Sequence, residues 1–456
     1  MIRKPHHKTK NGCKACKQRR VKCDETRPSC QRCIKRGLPC SLLALQPGLP
    51  LNLQVSSGTR PGKAALPGIH VFSSALRIPP RSLPLPSFLD MLSQNEVMRD
   101  VPEILRPRFK TLLQHFVTST SPTISNVVGD STRWPVVVAR LAEKHRFLFH
   151  GVVAVASLHL SQTVTSDAEK ATMRRFSAGQ MNIGLIPYRS TLGVLDEANA
   201  EALFIFSTFI NTYIVTTTGN ECEARIRFLR DSPNTRKDQE GCSKDLVSMI
   251  ANMLHCGRGV LVILVPCWHI LVRGNLSFAL ARTEGWDTPH RPSSIEFSEE
   301  DRKLTDLRNS WSLKYDYSFH VLSTALNLLR NSFALAATMT LNAKVENNHK
   351  HMDYGVVFVW PTTISHEFVA LLEQGRLEAW VIYAHYAILP GRVPGVWWLD
   401  KLASSIISTA ALLLGPDKCD ILEWPASIID LDLNSFRPTE SDDTLSSPHS
   451  PASQTS

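Results

Sequence analysis

Six cysteines within the first forty residues, spaced Cys13-x2-Cys16-x6-Cys23-x6-Cys30-x2-Cys33-x6-Cys40, are the side chains best placed to do chemistry, and that chemistry is metal binding by thiolates. The spacing repeats: Cys13-Lys-Ala-Cys16 with Cys23 returns seventeen residues later as Cys30-Gln-Arg-Cys33 with Cys40. Zinc takes four ligands in a tetrahedron, so three sulfurs per copy leave each metal one short unless thiolates are shared. Six cysteines therefore saturate two zinc ions if two sulfurs bridge. The alternatives for a short cysteine-dense segment are a disulfide framework or a thiolate metal store or sensor. No apolar signal segment follows the N-terminal Met-Ile-Arg-Lys-Pro-His-His-Lys, which predicts a reducing compartment where disulfides do not persist.

The elements that must position these sulfurs are short. An x2 spacing sets two cysteines on one helical turn, and six intervening residues suffice to finish a helix and return the third sulfur. Lys17, Gln18, Arg19, Arg20, Val21 and Lys22 form a good helical set, whereas Gly37 and Pro39 cut the second copy short. The first copy is therefore expected to be the recognition element. Val21 and Leu38 hold equivalent places in the two copies and are expected to meet across a pseudo-twofold axis.

The run Gly12-Cys-Lys-Ala-Cys-Lys-Gln-Arg-Arg-Val-Lys-Cys-Asp-Glu, with Arg27-Pro-Ser-Cys and Cys33-Ile-Lys-Arg-Gly-Leu-Pro-Cys40, resembles the binuclear zinc cluster of fungal transcription factors. The resemblance implies that Cys13 and Cys30 bridge two zinc ions and that Pro28 turns the inter-helix loop. It also implies double-stranded DNA as a partner. Arg19 and Arg20 would face bases, where arginine matches the O6 and N7 acceptors of guanine, while Lys17 and Lys22 would hold phosphates. Family members commonly read G-rich triplets such as CGG.

Charge points the same way. Residues 1–89 carry seventeen Lys or Arg against only Asp24 and Glu25, while the remaining residues carry 34 against 39. A strongly basic arm on a slightly acidic body is the electrostatic footprint of a polyanion partner. From Ser41 to about Phe88 the chain has eight prolines, four glycines and no acidic residue, which predicts a flexible linker. Leu42, Leu43 and Leu45 start an apolar run, but Pro47 and Pro50 interrupt it, so no coiled coil follows the cluster and any dimerisation must come from the body.

The expected fold is mostly α. It comprises a small binuclear zinc cluster domain (1–45), a proline-rich linker (46–95), a large all-helical regulatory domain (96–436) and a Ser/Thr/Pro-rich disordered tail (437–456). Residues 147–160, 202–215, 260–271 and 379–389 are apolar on nearly every face and read as central core helices. Their lengths, Pro266 and Asn211 argue against membrane spans, which need about 20 apolar residues. Cys222, Cys242, Cys256, Cys267 and Cys419 show no paired spacing and are expected in or near a core. The charged stretch 222–245 reads as a surface insertion or a gene-model error.

This body resembles the helical regulatory domain of fungal factors of the sterol uptake control type. The residues are Leu112-Leu-Gln-His-Phe, His150 through His159-Leu-Ser, Arg258-Gly259, Trp360-Pro361 with Ile364-Ser-His-Glu-Phe368, and Ala379 through Ala384-His-Tyr-Ala-Ile-Leu with Trp397-Trp398. The likeness implies contact with the transcription machinery and an apolar small-molecule effector bound between helices such as 202–215 and 379–389. His150, His159, His366 and His385 form no catalytic constellation: the chain has no His-Glu-x-x-His, Gly-x-Ser-x-Gly or phosphate-cradling loop. Asn275-Leu-Ser277 matches a glycosylation acceptor by accident if no leader is present. The sequence thus predicts a nuclear, non-enzymatic, sequence-specific DNA-binding regulator. A protein acting through its helical body alone is the other reading.

Overall fold

Arg146–Thr163 is apolar around its whole circumference, with thirteen of its eighteen side chains buried, and the rest of the first compact unit is arranged about it. A computed structural model describes residues 14–19, 21–24, 31–34, 36, 92, 96–124, 133–231, 236–280, 295–309, 317–345, 355–393 and 395–436. Among them every regular element is helical. The cluster segment contributes α1 (Lys14–Gln18) and α2 (Gln31–Ile34). The body begins with α3 (Glu96–Asp100), α4 (Arg106–His115), α5 (Arg133–Lys144), α6 (Arg146–Thr163) and α7 (Asp167–Thr191). It continues through α8 (Ala200–Asp231), α9 (Arg236–Arg258), α10 (Leu261–Leu271), α11 (Ile295–Asn309) and α12 (Tyr317–Val345). The last helices named here are α13 (Gly355–Thr363), α14 (His366–Glu373), α15 (Leu377–Tyr386) and α16 (Leu402–Leu414).

The chain divides into two compact units: residues 1–210 with 259–292, and residues 211–258 with 293–456. The chain passes from the first to the second within α8 and returns after Arg258.

In the first unit, small residues let α6 and α7 pack closely. Ser177 Oγ donates to the Ala154 carbonyl at 2.7 Å and Ser157 Oγ to that of Met173 at 2.9 Å. Ser166 caps α7 by accepting from the Glu169 N–H, the arrangement that a Ser-x-x-Glu start encodes. Phe206 fills the space above two glycines: a Cβ at Gly151 or at Gly184 would lie 2.8 Å from its ring. Phe147 and Tyr188 pack against the same ring at 5.4 and 4.8 Å between centroids.

A one-turn π-helix, Phe116–Thr120, follows α4. It carries Thr120 to the buried His159, Oγ1 to Nδ1 at 3.0 Å, while the ring of His115 lies 4.9 Å from that of His159. Burial and then the neighbouring His115 push His159 down to about 4, and burial also lowers the half-buried His115. His150 Nδ1 donates to Gln180 Oε1 at 2.8 Å.

The expectation that residues 260–271 form a central helix is corrected. In α10 only Ile263, Cys267 and Leu271, spaced by four, are buried, and Val262 is 63% exposed. The run is apolar all round, yet the unit covers only one stripe of it. By length and composition alone two helical stretches, Ala200–Arg230 and Glu240–Leu271, are long and apolar enough to cross a membrane. The apolar runs understated this because helix continues past their ends, back through α9 ahead of residue 260 and through the polar last turns of α8.

In the second unit Trp360 is wholly buried, its Nε1 donating to the Ala325 carbonyl at 2.8 Å. It stacks on Tyr386 and Tyr383, with centroids at 4.9 and 5.8 Å, and meets Phe368 edge-on. Arg258 reaches the same place and donates to the carbonyls of Pro361 and Ile364. Arg258, Trp360-Pro361, Ile364, Phe368 and the 379–389 run, scattered in sequence, thus form one cluster. His385 is fully inside, its Nδ1 donating to the Val381 carbonyl, and burial pushes it down to about 4.

The described parts of the 222–245 stretch are helical. They are the last turns of α8 and the first of α9, tied by Arg225 to Asp245 at 2.8 Å and to Glu221 at 3.4 Å. The arginines and acids of the stretch make exposed ion pairs on and between these two helices. Cys222, Cys267 and Cys419 are buried as expected, but Cys242 is half-buried and Cys256 is exposed.

Candidate zinc centre and nucleic-acid interface

The two copies of the cysteine repeat start their helices at matching places. Lys14 and Gln31, seventeen residues apart, open α1 and α2, and Cys16 and Cys33 are the third residue of each. After each helix a backbone N–H returns to the cysteine carbonyl: Val21 to Cys16 at 3.1 Å and Arg36 to Cys33 at 3.2 Å. These bonds wrap the chain tightly around each sulfur-bearing turn. The two helices pack against each other, as a pseudo-twofold pair should.

Cys16, Cys23 and Cys33 are 1%, 2% and 1% exposed. Three buried thiols in so short a described segment fit a centre in which the ligands themselves are the core. The donor set suits zinc, which binds thiolates and fixes small folds that cannot otherwise close. Cys13, Cys30 and Cys40 lie outside the described residues, as do Arg20, Pro28 and Leu38. The described residues alone contain no group of three side chains able to hold a metal, since half the proposed ligand set is outside them.

Around the buried sulfurs the surface is cationic: Lys17, Arg19 and Lys22 are all exposed. The helix that carries them is shorter than the residues predict. It stops at Gln18, with Arg19 in the following turn and 21–24 without regular structure. A good helical composition is overridden because the chain must turn back to return Cys23. At five residues, α1 is barely longer than the four of α2, so helix length does not set the two copies apart.

Sequence reading passed over the second copy's cations. Arg32 and Arg36 are both exposed, and Arg36 stands seventeen residues after Arg19 in the same post-helical turn. The repeat offset was the signal that could have found it.

Two family profiles match the chain. One, a fungal Zn(2)-Cys(6) binuclear cluster domain, covers residues 11–48. The other, a fungal specific transcription factor domain, covers residues 111–180, the segment holding the π-turn, α5, α6 and the start of α7. The chain is similar to a Zn(2)-C6 fungal-type transcription factor of Gibberella zeae, 25% identical over 95% of this chain and 88% of that protein. It is 28% identical to the Zn(2)-C6 fungal-type transcription factor afumD of Aspergillus fumigatus, over 46% of this chain and 48% of the relative. To sterol uptake control protein 2 of Candida albicans it is 58% identical over 41 residues, 9% of this chain and 6% of that protein.

Proposed function

We propose that this chain, a fungal-type Zn(2)-Cys(6) transcription regulator that binds DNA and two zinc ions, reads its site with Arg19 and Arg20 and grips phosphates with Lys17 and Lys22. The observation that carries this assignment is the exposed cationic rim of Lys17, Arg19 and Lys22 on a turn whose interior is Cys16 and Cys23. Cys13, Cys16, Cys23, Cys30, Cys33 and Cys40 would hold the metals, which when bound supply structural cross-links. The residues themselves do the recognition: guanidinium groups offer paired donors to guanine, and ammonium groups neutralise phosphates without regard to sequence.

Residues 1–45 are the DNA-binding module, 46–95 the linker and 96–436 the regulatory body, which addresses the transcription machinery in the nucleus. The protein acts as a regulator, and His150, His159 and His385 of its helices hold hydrogen bonds within the body. An apolar effector, if the body takes one, enters by displacing packed aromatic side chains, because Ala379 to Tyr386 of α15 are all buried.

Selection of DNA from a random pool with the full zinc-loaded chain tests the core of this reading. A reproducible short G-containing consensus, lost on chelation, is expected. Enrichment of no sequence, or binding indifferent to chelator, would refute it. A regulatory body is tested by tethering residues 96–436 to an unrelated DNA-binding domain, where altered reporter transcription is expected.

A further inference from the structure

We infer that the outward face of α7 is a contact between two copies of this chain, packed antiparallel. Ser177, Gln180, Met181, Gly184 and Tyr188 turn the other face of the helix inward. Opposite them runs a stripe of Gly179, Ile183, Ile186 and Ser190, spaced four, three and four, and all exposed. Ile183 is 48% and Ile186 74% exposed. Single exposed isoleucines are ordinary on a protein surface; these two share one stripe, with a small residue at each end.

The order small, large, large, small reads the same in both directions. A contact about a twofold axis demands that property, because residue i must meet j while j meets i. With the axis level with the peptide between Gly184 and Leu185, Ile183 of one copy meets Ile186 of the other, and Gly179 meets Ser190. Four isoleucines then close a small apolar centre, and the small residues beyond them let the two backbones approach. Nothing in the chain itself uses the room at Gly179, where a Cβ would meet nothing within 4 Å.

Charge selects the direction. Arg175 and Arg189 are exposed along one edge of the stripe, and neither pairs with a described carboxylate. A parallel pair would set each arginine against its own counterpart, and like charges repel. In the antiparallel pair Arg189 comes beside the neutral Asn182 of the other copy. Arg175 comes level with Val194, next to the turn that carries Glu197. Glu197 is exposed and pairs with no described cation, whereas the neighbouring Asp196 is occupied, its Oδ1 accepting from the N–H groups of Ala198 and Asn199. Val194, 67% exposed, gives the stem of Arg175 an apolar surface to lie on. The stretch from Arg175 to Ser190 is roughly 22 Å of helix, a length that puts the contact at the small end of specific interfaces and makes the dimer reversible.

The test is sedimentation equilibrium of the full zinc-loaded chain, without DNA, over a wide range of concentrations. A monomer–dimer equilibrium is expected, and Ile186→Glu should weaken it about tenfold or more. Gly179→Leu should weaken it too while leaving the urea midpoint of the monomer unchanged or higher, an outcome that a role in the fold alone would not give. Arg175→Glu should weaken the dimer, and Glu197→Arg added to it should restore association. Phe228→Ser, at a 64% exposed aromatic of the second unit, should change nothing, with circular dichroism showing that every variant folds. A chain that stays monomeric at all concentrations, a loss on Phe228→Ser equal to that on Ile186→Glu, or failure of the double change to restore what Arg175→Glu removes would each overturn the proposal.

Discussion

Arg258 Nη1 donates to the backbone carbonyl of Ile364 at 2.6 Å, and the same nitrogen reaches the Pro361 carbonyl at 3.0 Å. These carbonyls sit where α13 gives way to α14 through an 88° bend. A bend of that size frees carbonyls that a continuous helix would occupy, and one arginine at the end of α9 takes up two of them. Arg258→Met keeps the stem and removes the donors, leaving those carbonyls inside the unit. We expect a loss of about 2–4 kcal/mol, judged from one charged donor and two acceptors, seen as a lower urea midpoint. Arg258→Lys should recover part of it.

The zinc centre predicts its own stoichiometry. Purified chain should carry two zinc ions, and Cys16→Ser or Cys33→Ser should lower the zinc content, as measured by elemental analysis, and abolish specific DNA binding. If Cys13 and Cys30 are the bridging pair, replacing either should release more metal than replacing Cys40. Equal release from all three positions would remove the bridging assignment.

Readout and grip separate on salt. Arg19→Ala should cost about 1–3 kcal/mol on the selected site and relax its base preference, whereas Lys22→Ala should weaken all sequences alike and lower the salt slope by about one. Arg36→Ala, changed at the counterpart of Arg19, is expected to behave as a phosphate contact, because Arg36 is exposed seventeen residues after Arg19 in the repeat. Binding curves at several salt concentrations, on selected and scrambled DNA, decide each assignment.

Packing above Gly151 and Gly184 predicts an inverted response to alanine. In an exposed helix Gly→Ala gains about 1 kcal/mol. Here a Cβ at Gly151 meets Phe206 at 2.8 Å and Phe209 at 3.0 Å, and one at Gly184 meets Phe206 at 2.8 Å and the Phe147 carbonyl at 3.0 Å. Overpacking costs about 1–3 kcal/mol, so both substitutions should lower the melting temperature. A rise in either would show that the Phe206 ring moves aside freely.

Acid should weaken the body through its histidines. His159 and His385 are each held down to about 4 by burial, against 6.5 when exposed. Between those values the unfolded chain binds protons that the folded chain refuses, so stability falls as pH drops below 6.5 and continues falling to about 4. Above pH 7 these groups contribute no slope. His159→Gln should flatten part of the acid limb in urea titrations taken at successive pH values, and an unchanged limb would contradict a His159 held neutral by burial.

The cluster family was legible because metal chemistry imposes spacing: six cysteines in two offset copies suit two zinc ions if two thiolates are shared. Helical class was legible too, since long apolar runs with few strand signals have little alternative. Where each run sits was not. The segments at 147–160 and 260–271 look equally apolar, yet α6 is enclosed on every side and α10 on one stripe only, because burial depends on which neighbours arrive. Charge in 222–245 looked anomalous until two helices laid Arg225 beside Asp245. Arg258, Trp360 and Tyr386 carried a faint likeness in sequence; only folding brings them to one place, for a side chain's contacts are set by residues a hundred positions away.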